Sequence, residues 1–217
     1  MTPPTATAPS PPVITCREDL ERGCHALVRV EPRFSIVIEQ AGPPPLRLRE
    51  DGFEALLQAI VSQQLSVAAA GTIWGRLEAA GLTTPDAIGA AGDDLLRSAG
   101  LSRQKVRYAR ALAAAGIDFP GLRKLDDEAV IEQLIEVPGI GRWTAEIYAL
   151  FSLGRADVFA PADLALQEAA RSLFNWPERP REAELRQRAL AWQPWRAVAA
   201  RLLWAWYRVD KKRDGVL

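Results

Sequence analysis

A chain of 217 residues, 48% of them apolar, is long enough to bury a real core, as one large domain or as two small lobes. One histidine and two cysteines exclude a structural zinc centre and a four-cysteine iron–sulfur cluster, so any catalysis falls to carboxylates, hydroxyls, backbone groups and aromatics. The formal net charge of +0 weighs by itself against a nucleic-acid partner, so the distribution of charge matters more than its total.

Residues 1–12 are mainly Pro, Thr and Ala with no periodic apolar face, and read as a disordered tail. No basic segment there precedes an apolar run, and no stretch reaches the roughly 18 uninterrupted apolar residues of a membrane helix. The expectation is a soluble, cytoplasmic protein with no membrane partner. From Arg17 onward apolar residues recur at three and four, first as Leu20, Cys24, Leu27 and Val28, which is the helical period. Cys16 and Cys24 fall on this helix with α-carbons about 12 Å apart, too far for a disulfide, and are expected as free thiols. Residues 34–38 form a β-branched run that reads equally as a short strand or a helix. Helical periodicity resumes at Leu56, Leu57, Ile60 and Val61. Breaks then fall at Gly42-Pro43-Pro44-Pro45, Gly81-Leu82, Gly100-Leu101, Phe119-Pro120-Gly121, Pro138-Gly139, Ala160-Pro161 and Pro177, the punctuation of an all-α protein. Bases crowd at Arg97, Arg103, Lys105, Arg107 and Arg110, and again at Arg196, Arg201, Arg208, Lys211, Lys212 and Arg213. Pro161-Ala162-Asp163 followed by Leu164, Leu166, Ala169, Ala170 and Leu173 marks a helix entered through an aspartate cap.

The most informative stretch is Val137-Pro138-Gly139-Ile140-Gly141-Arg142-Trp143-Thr144-Ala145, between two helical patterns. Two glycines around one apolar residue permit a sharp turn and a close backbone approach, and the second opens a helix whose first N–H groups suit a phosphate. With Leu134-Ile135-Glu136 before it and Asp157-Val158-Phe159-Ala160-Pro161-Ala162-Asp163 after it, the segment resembles the helix-hairpin-helix, Gly/Pro-rich loop and aspartate of the HhH-GPD base-excision DNA glycosylases. Within them it is most similar to the 3-methyladenine DNA glycosylase II (AlkA) group. Phe53 through Ser66 with its Ser62-Gln63-Gln64-Leu65 turn, Gly100-Leu101-Ser102-Arg103-Gln104-Lys105 and Trp192-Gln193-Pro194-Trp195-Arg196 agree with it in order and spacing.

That resemblance implies two helical lobes with a DNA-binding cleft between them. Residues 51–154 would form the lobe with the helix-hairpin-helix (127–153), and residues 13–50 with 155–217 the lobe with the catalytic aspartate. The stretch before Asp51 is too short for the extra β-rich lobe of some family members. Losing a base leaves an oxocarbenium-like sugar, so the site needs an anion, and the resemblance makes Asp163 that group. Related bifunctional glycosylases carry a nucleophilic lysine where this chain has Trp143, which implies water as the nucleophile and no strand cleavage. Trp143, Ile147 and Trp204 are implied as base-pocket residues, with Ile147 replacing a tyrosine of well-known family members. Gln63, Gln64 and Leu65 are implied at the turn that fills the hole left by a flipped base, with Gln64 or Leu65 as the plug. Ser102, Lys105, Gly139, Ile140, Gly141 and Thr144 complete the implied DNA contacts. The partner is double-stranded DNA carrying alkylated bases of the 3-methyladenine type, extending to 7-methylguanine and 1-methyladenine. The protein would act as a monomer without a required cofactor, with a monovalent cation on the hairpin carbonyls as an option. The rival reading is a helix-hairpin-helix module that binds DNA without chemistry.

Overall fold

A computed structural model describes residues 12–211. Most of the sequence-predicted tail, and Lys212 and Arg213 of the second basic run, lie outside the described residues. Within them the chain is all-α, as expected, and the only pairing of extended backbone is an isolated bridge between Val13 and Arg155. It divides into two compact units, Met1–Leu46 with Arg155–Leu217, and Arg47–Gly154.

The first unit opens with α1 (Arg17–Val30) and α2 (Phe34–Ala41). The β-branched run at residues 34–38 is thus helical. Phe34 and Val37, three apart, are fully buried while Ile36 is exposed, so burial follows the helical period and overrides strand propensity. Cys16 is the residue before α1 and Cys24 is buried within it, both as free thiols.

The second unit holds α3 (Phe53–Ser62), α4 (Val67–Ala79), α5 (Pro85–Ala90), α6 (Asp93–Ser98), α7 (Arg103–Ala114), α8 (Phe119–Leu122), α9 (Asp127–Ile135) and α10 (Arg142–Phe151). Its core is built from Leu56, Leu57, Ile60 and Val61 of α3 against Val106, Ala109 and Leu112 of α7, with Val130, Leu134, Ala149 and Leu150 from α9 and α10. Each fully buried Leu or Ile contributes roughly 1.5–3 kcal/mol. Phe119-Pro120-Gly121, read from sequence as a break, is a single helical turn instead: Asp118 Oδ1 accepts from Gly121 N at 3.0 Å, and proline in the first turn needs no amide donor.

The chain returns to the first unit with α11 (Leu164–Leu173), α12 (Glu182–Arg188), a 3-10 turn (Ala189–Trp192) and α13 (Arg196–Lys211). Helix α13 is the hub, packing against α1, α2 and α11, and its residues from Ala197 through Ala205 are all buried. Phe34, Phe159 and Phe174 surround Trp192 with ring centroids 5.5–5.7 Å away.

Candidate active site and nucleic-acid interface

In the first unit, the strap from Arg155 to Asp163 is fastened to the start of α13. Asp157 takes a two-pronged ion pair from Arg196, 2.8 Å to Nε and 2.9 Å to Nη2, and a bond from Gln193 Nε2 at 3.1 Å. Ala156 O accepts from Ala197 N at 2.9 Å. Further along, Gln167 Nε2 donates to Pro161 O at 2.8 Å, so α11 braces the turn that leads into it. Asp163 caps α11 and is 7% exposed. Its Oδ1 accepts from Ala165 N at 2.9 Å, from Leu166 N at 3.1 Å and from the indole Nε1 of Trp204 at 3.4 Å. Trp204, sequence-predicted as pocket wall, is therefore also a donor to the candidate carboxylate.

In the second unit, the hairpin joins α9 to α10. Val137 N donates to Leu134 O and Ile140 N to Val137 O, closing two tight turns in succession. Gly139 sits at φ +97°, and a Cβ there would fall 2.3 Å from Tyr108 Cγ, so both backbone conformation and packing demand glycine. Gly141 differs. It is the N-cap of α10 at φ −85°, and a Cβ there would meet nothing within 4 Å. Helices α4, α7, α9 and α11 have side-chain caps from Ser66, Ser102, Asp126 and Asp163, whereas α10 begins on a glycine with none. The first amides of α10 lie at the positive end of the helix dipole, a place that suits an anion. Ile140 is 4% exposed and its amide is used within the turn, so it pins the hairpin from inside. Arg142 is held by Glu128 at 2.8 Å and Glu146 at 3.2 Å. Trp143 is half-buried, and Thr144 and Ile147 are buried on the same helix.

Gln63, Gln64 and Leu65 form the turn between α3 and α4, with Gln64 in the left-handed region at φ +59° and both Gln64 and Leu65 exposed. Gln63 Nε2 donates to Gly139 O at 2.9 Å, which ties this turn to the hairpin. Ser102 is exposed and caps α7. Lys105 Nζ sits on two carbonyls, Val61 O at 2.6 Å and Gln63 O at 2.8 Å, and burial lowers its pKa. The structure thus groups Asp163 with Trp204 in one unit, and the hairpin, Trp143, Ile147, Ser102, Lys105 and the glutamine turn in the other. Sequence reasoning missed the Asp157–Arg196 pair, Gln167, Tyr108 beneath Gly139 and the carbonyl partners of Lys105. Among the described residues no group of three or more His, Cys, Asp or Glu could hold a metal ion, and no helix is long and apolar enough to cross a membrane.

Residues 57–195 match the family model described as HhH-GPD superfamily base excision DNA repair protein. The chain belongs to this superfamily. Among HhH-GPD relatives, the DNA-3-methyladenine glycosylase 1 of Schizosaccharomyces pombe is 32% identical over 167 residues, 72% of each chain. The alkylbase DNA glycosidase-like protein mag2 of the same yeast is 27% identical over 89% of this chain and 97% of its own. A crystal structure of a DNA-3-methyladenine glycosidase from Bacillus halodurans superposes with a TM-score of 0.80 at 34% identity, covering 88% of this chain and 91% of that one. The S. pombe 3-methyladenine DNA glycosylase Mag1, solved with abasic DNA, gives 0.73 at 28% identity, covering 90% of this chain and all of its own.

Proposed function

We infer that this chain is a DNA glycosylase that hydrolyses the N-glycosidic bond of alkylated bases in double-stranded DNA. Its substrates are 3-methyladenine-type lesions, with 7-methylguanine and 1-methyladenine in the same range. The observation that carries the reading is Asp163: a nearly buried carboxylate whose Oδ1 is fixed by two helix-start amides and an indole N–H, on a strap fastened to α13. The names of the 3-methyladenine glycosylase relatives support the lesion class.

In this reading the target nucleotide is flipped out of the stack before the base leaves. The bond from C1′ to the base nitrogen breaks and its electron pair departs with the base. A ring-methylated purine already carries a positive charge, so it leaves neutral without a proton donor. The sugar left behind is oxocarbenium-like, and the preorganised Asp163 carboxylate stabilises it. Water then bonds to C1′ and releases its proton to solvent, giving free base and an abasic site. Trp143 has no amine with which to form a Schiff base, so no covalent intermediate arises and the strand stays intact. Trp143 and Ile147, one turn apart on α10, offer a face on which a base can stack. An indole face favours a cationic ring by about 1–2 kcal/mol once water is excluded. The first amides of α10, approached closely because Gly141 lacks a side chain, serve a backbone phosphate, which positions the duplex without reading its sequence.

A monovalent cation on the hairpin belongs to the same reading. Val137 O and Gly139 O each already accept a hydrogen bond, from Ile140 N and Gln63 Nε2, so such an ion would have only their second lone pairs. It would add positive charge near a phosphate, and no step above depends on it.

The reading is tested with duplexes each carrying one defined alkylated base, scored for released base and for strand breaks before and after alkali. Base release from the 3-methyladenine duplex, with breaks only after alkali, is expected. Duplex binding without release of any base would make the chain a binding module, and breaks without alkali would contradict the role given to Trp143.

A further inference from the structure

The glutamine turn between α3 and α4 is exposed from Gln64 onward, and its backbone carbonyls are paired. A helix ends with carbonyls that lack intrahelical partners. Here Ile60 O accepts from Gln63 N at 3.3 Å and Ser62 O from Leu65 N at 3.2 Å. The two carbonyls not served by the turn itself, Val61 O and Gln63 O, both accept from Lys105 Nζ, which reaches across from α7. Four successive carbonyls are thereby paired, two of them by one ammonium, at the end of the helix where the dipole favours a cation. The turn that follows needs this support. Gln64 holds a left-handed backbone that L-residues adopt only at a cost, and the run from Gln64 to Ala68 is exposed. Gln63 Nε2 on Gly139 O and the Ser66 cap on Ala69 N at 3.2 Å fix the two sides of the turn.

We propose that Lys105 is a positioning residue that holds the Gln63–Gln64–Leu65 turn in its duplex-ready shape, and that it is not a phosphate ligand. Moving its ammonium to a phosphate would strip partners from Val61 O and Gln63 O together, and Val61 is wholly buried. The charge is worth more where it is. A turn set in advance binds a duplex with a missing or flipped base without the entropy of ordering itself first. This inference rests on the glycosylase reading, because the turn matters only if a gap in the duplex is to be filled.

The test compares wild type with Lys105→Met, Lys105→Gln and Lys105→Arg, after a melting curve for each. It measures affinity for one undamaged duplex and for the same duplex with a tetrahydrofuran abasic analogue, over a salt series. The expected result for Lys105→Met is a loss of about tenfold on the abasic-analogue duplex, the effect of losing charge-assisted hydrogen bonds. Affinity for undamaged duplex and the slope against salt stay at wild-type values, and Lys105→Arg, which can still reach two carbonyls, recovers most of the loss. If Lys105→Met melts too low to assay, Lys105→Gln, whose amide keeps donors for a carbonyl, carries the comparison. A phosphate ligand would give equal losses on both duplexes and a salt slope lower by about one unit, which overturns the proposal. Unchanged affinity for the abasic-analogue duplex overturns it too. Failure of the glycosylase reading looks different: the wild type itself would not distinguish the two duplexes.

Discussion

Gly139 and Gly141 stand two residues apart in one motif and do different work. Gly139 is required by the fold, since φ +97° and the ring of Tyr108 both exclude a side chain. Gly141 has an ordinary φ and open space around its missing Cβ, so nothing inside the protein asks for glycine there. Gly139→Ala is therefore expected to lower stability by about 1–3 kcal/mol, read as a fall in melting temperature. Gly141→Ala is expected to melt close to wild type yet bind duplex DNA more weakly, because a methyl group stands where a phosphate would approach. Equal melting of the two variants, or unchanged duplex affinity for Gly141→Ala, would contradict this division. The pair of glycines is legible in sequence, but which one serves the fold is not, because Tyr108 arrives from α7. Lys105 is legible as a basic residue at the right spacing. Its carbonyl partners, 42 and 44 residues earlier, leave no local trace.

Helices α1, α3, α7 and α9 are legible because burial follows the 3.6-residue period along them, whereas α10 and α13 are buried over unbroken runs, Thr144 to Phe151 and Ala197 to Ala205. The hard cases were short. Residues 34–38 carry strand-favouring side chains and become helical because Phe34 and Val37 must share one buried face. Helix α8 hides behind a Pro-Gly pair that usually ends a helix. Helix α1 has a start that titrates. Thr15 N at 2.7 Å, Thr15 Oγ1 at 2.9 Å and Cys16 N at 3.1 Å all donate to Asp19, and they hold its carboxyl down to about 2. A carboxyl that ionises more easily folded than unfolded stabilises the fold above the usual carboxylate range, near pH 4. That stabilisation is lost as pH falls through about 2. Between pH 5 and pH 2 the wild type should thus lose its advantage in melting temperature over Asp19→Asn, and the two curves should converge. A gap that stays constant across this window would remove Asp19 as the cause.

For the whole molecule, zero net charge coexists with membership of a DNA-repair superfamily, and many of the basic residues serve the protein itself. Arg196 is committed to Asp157, Arg110 to Asp93 and the carbonyl of Ala91, Arg142 to Glu128 and Glu146, and Arg201 is buried in α13. Basic runs in the sequence therefore overstate the charge offered to a duplex, while Ser102, Arg103 and Arg107 remain exposed. The all-helical fold and the superfamily were legible because hairpin, Gly/Pro-rich loop and aspartate lie within about thirty residues of one another. The bracing of Asp163 was not. It depends on Arg196 and Trp204, 33 and 41 residues further on, which reach the strap only after α13 has packed.

The most direct measurement is single-turnover base release by Asp163→Asn on a 3-methyladenine duplex, with abasic-analogue binding and melting temperature recorded on the same preparation. Asparagine caps a helix about as well as aspartate and keeps an oxygen for Trp204 Nε1, so folding and binding should match wild type. Base release should fall by about 10²–10³-fold or more, the usual cost of removing a preorganised charge from a reacting centre. Wild-type release by this variant would contradict the assignment of Asp163 as the catalytic carboxylate.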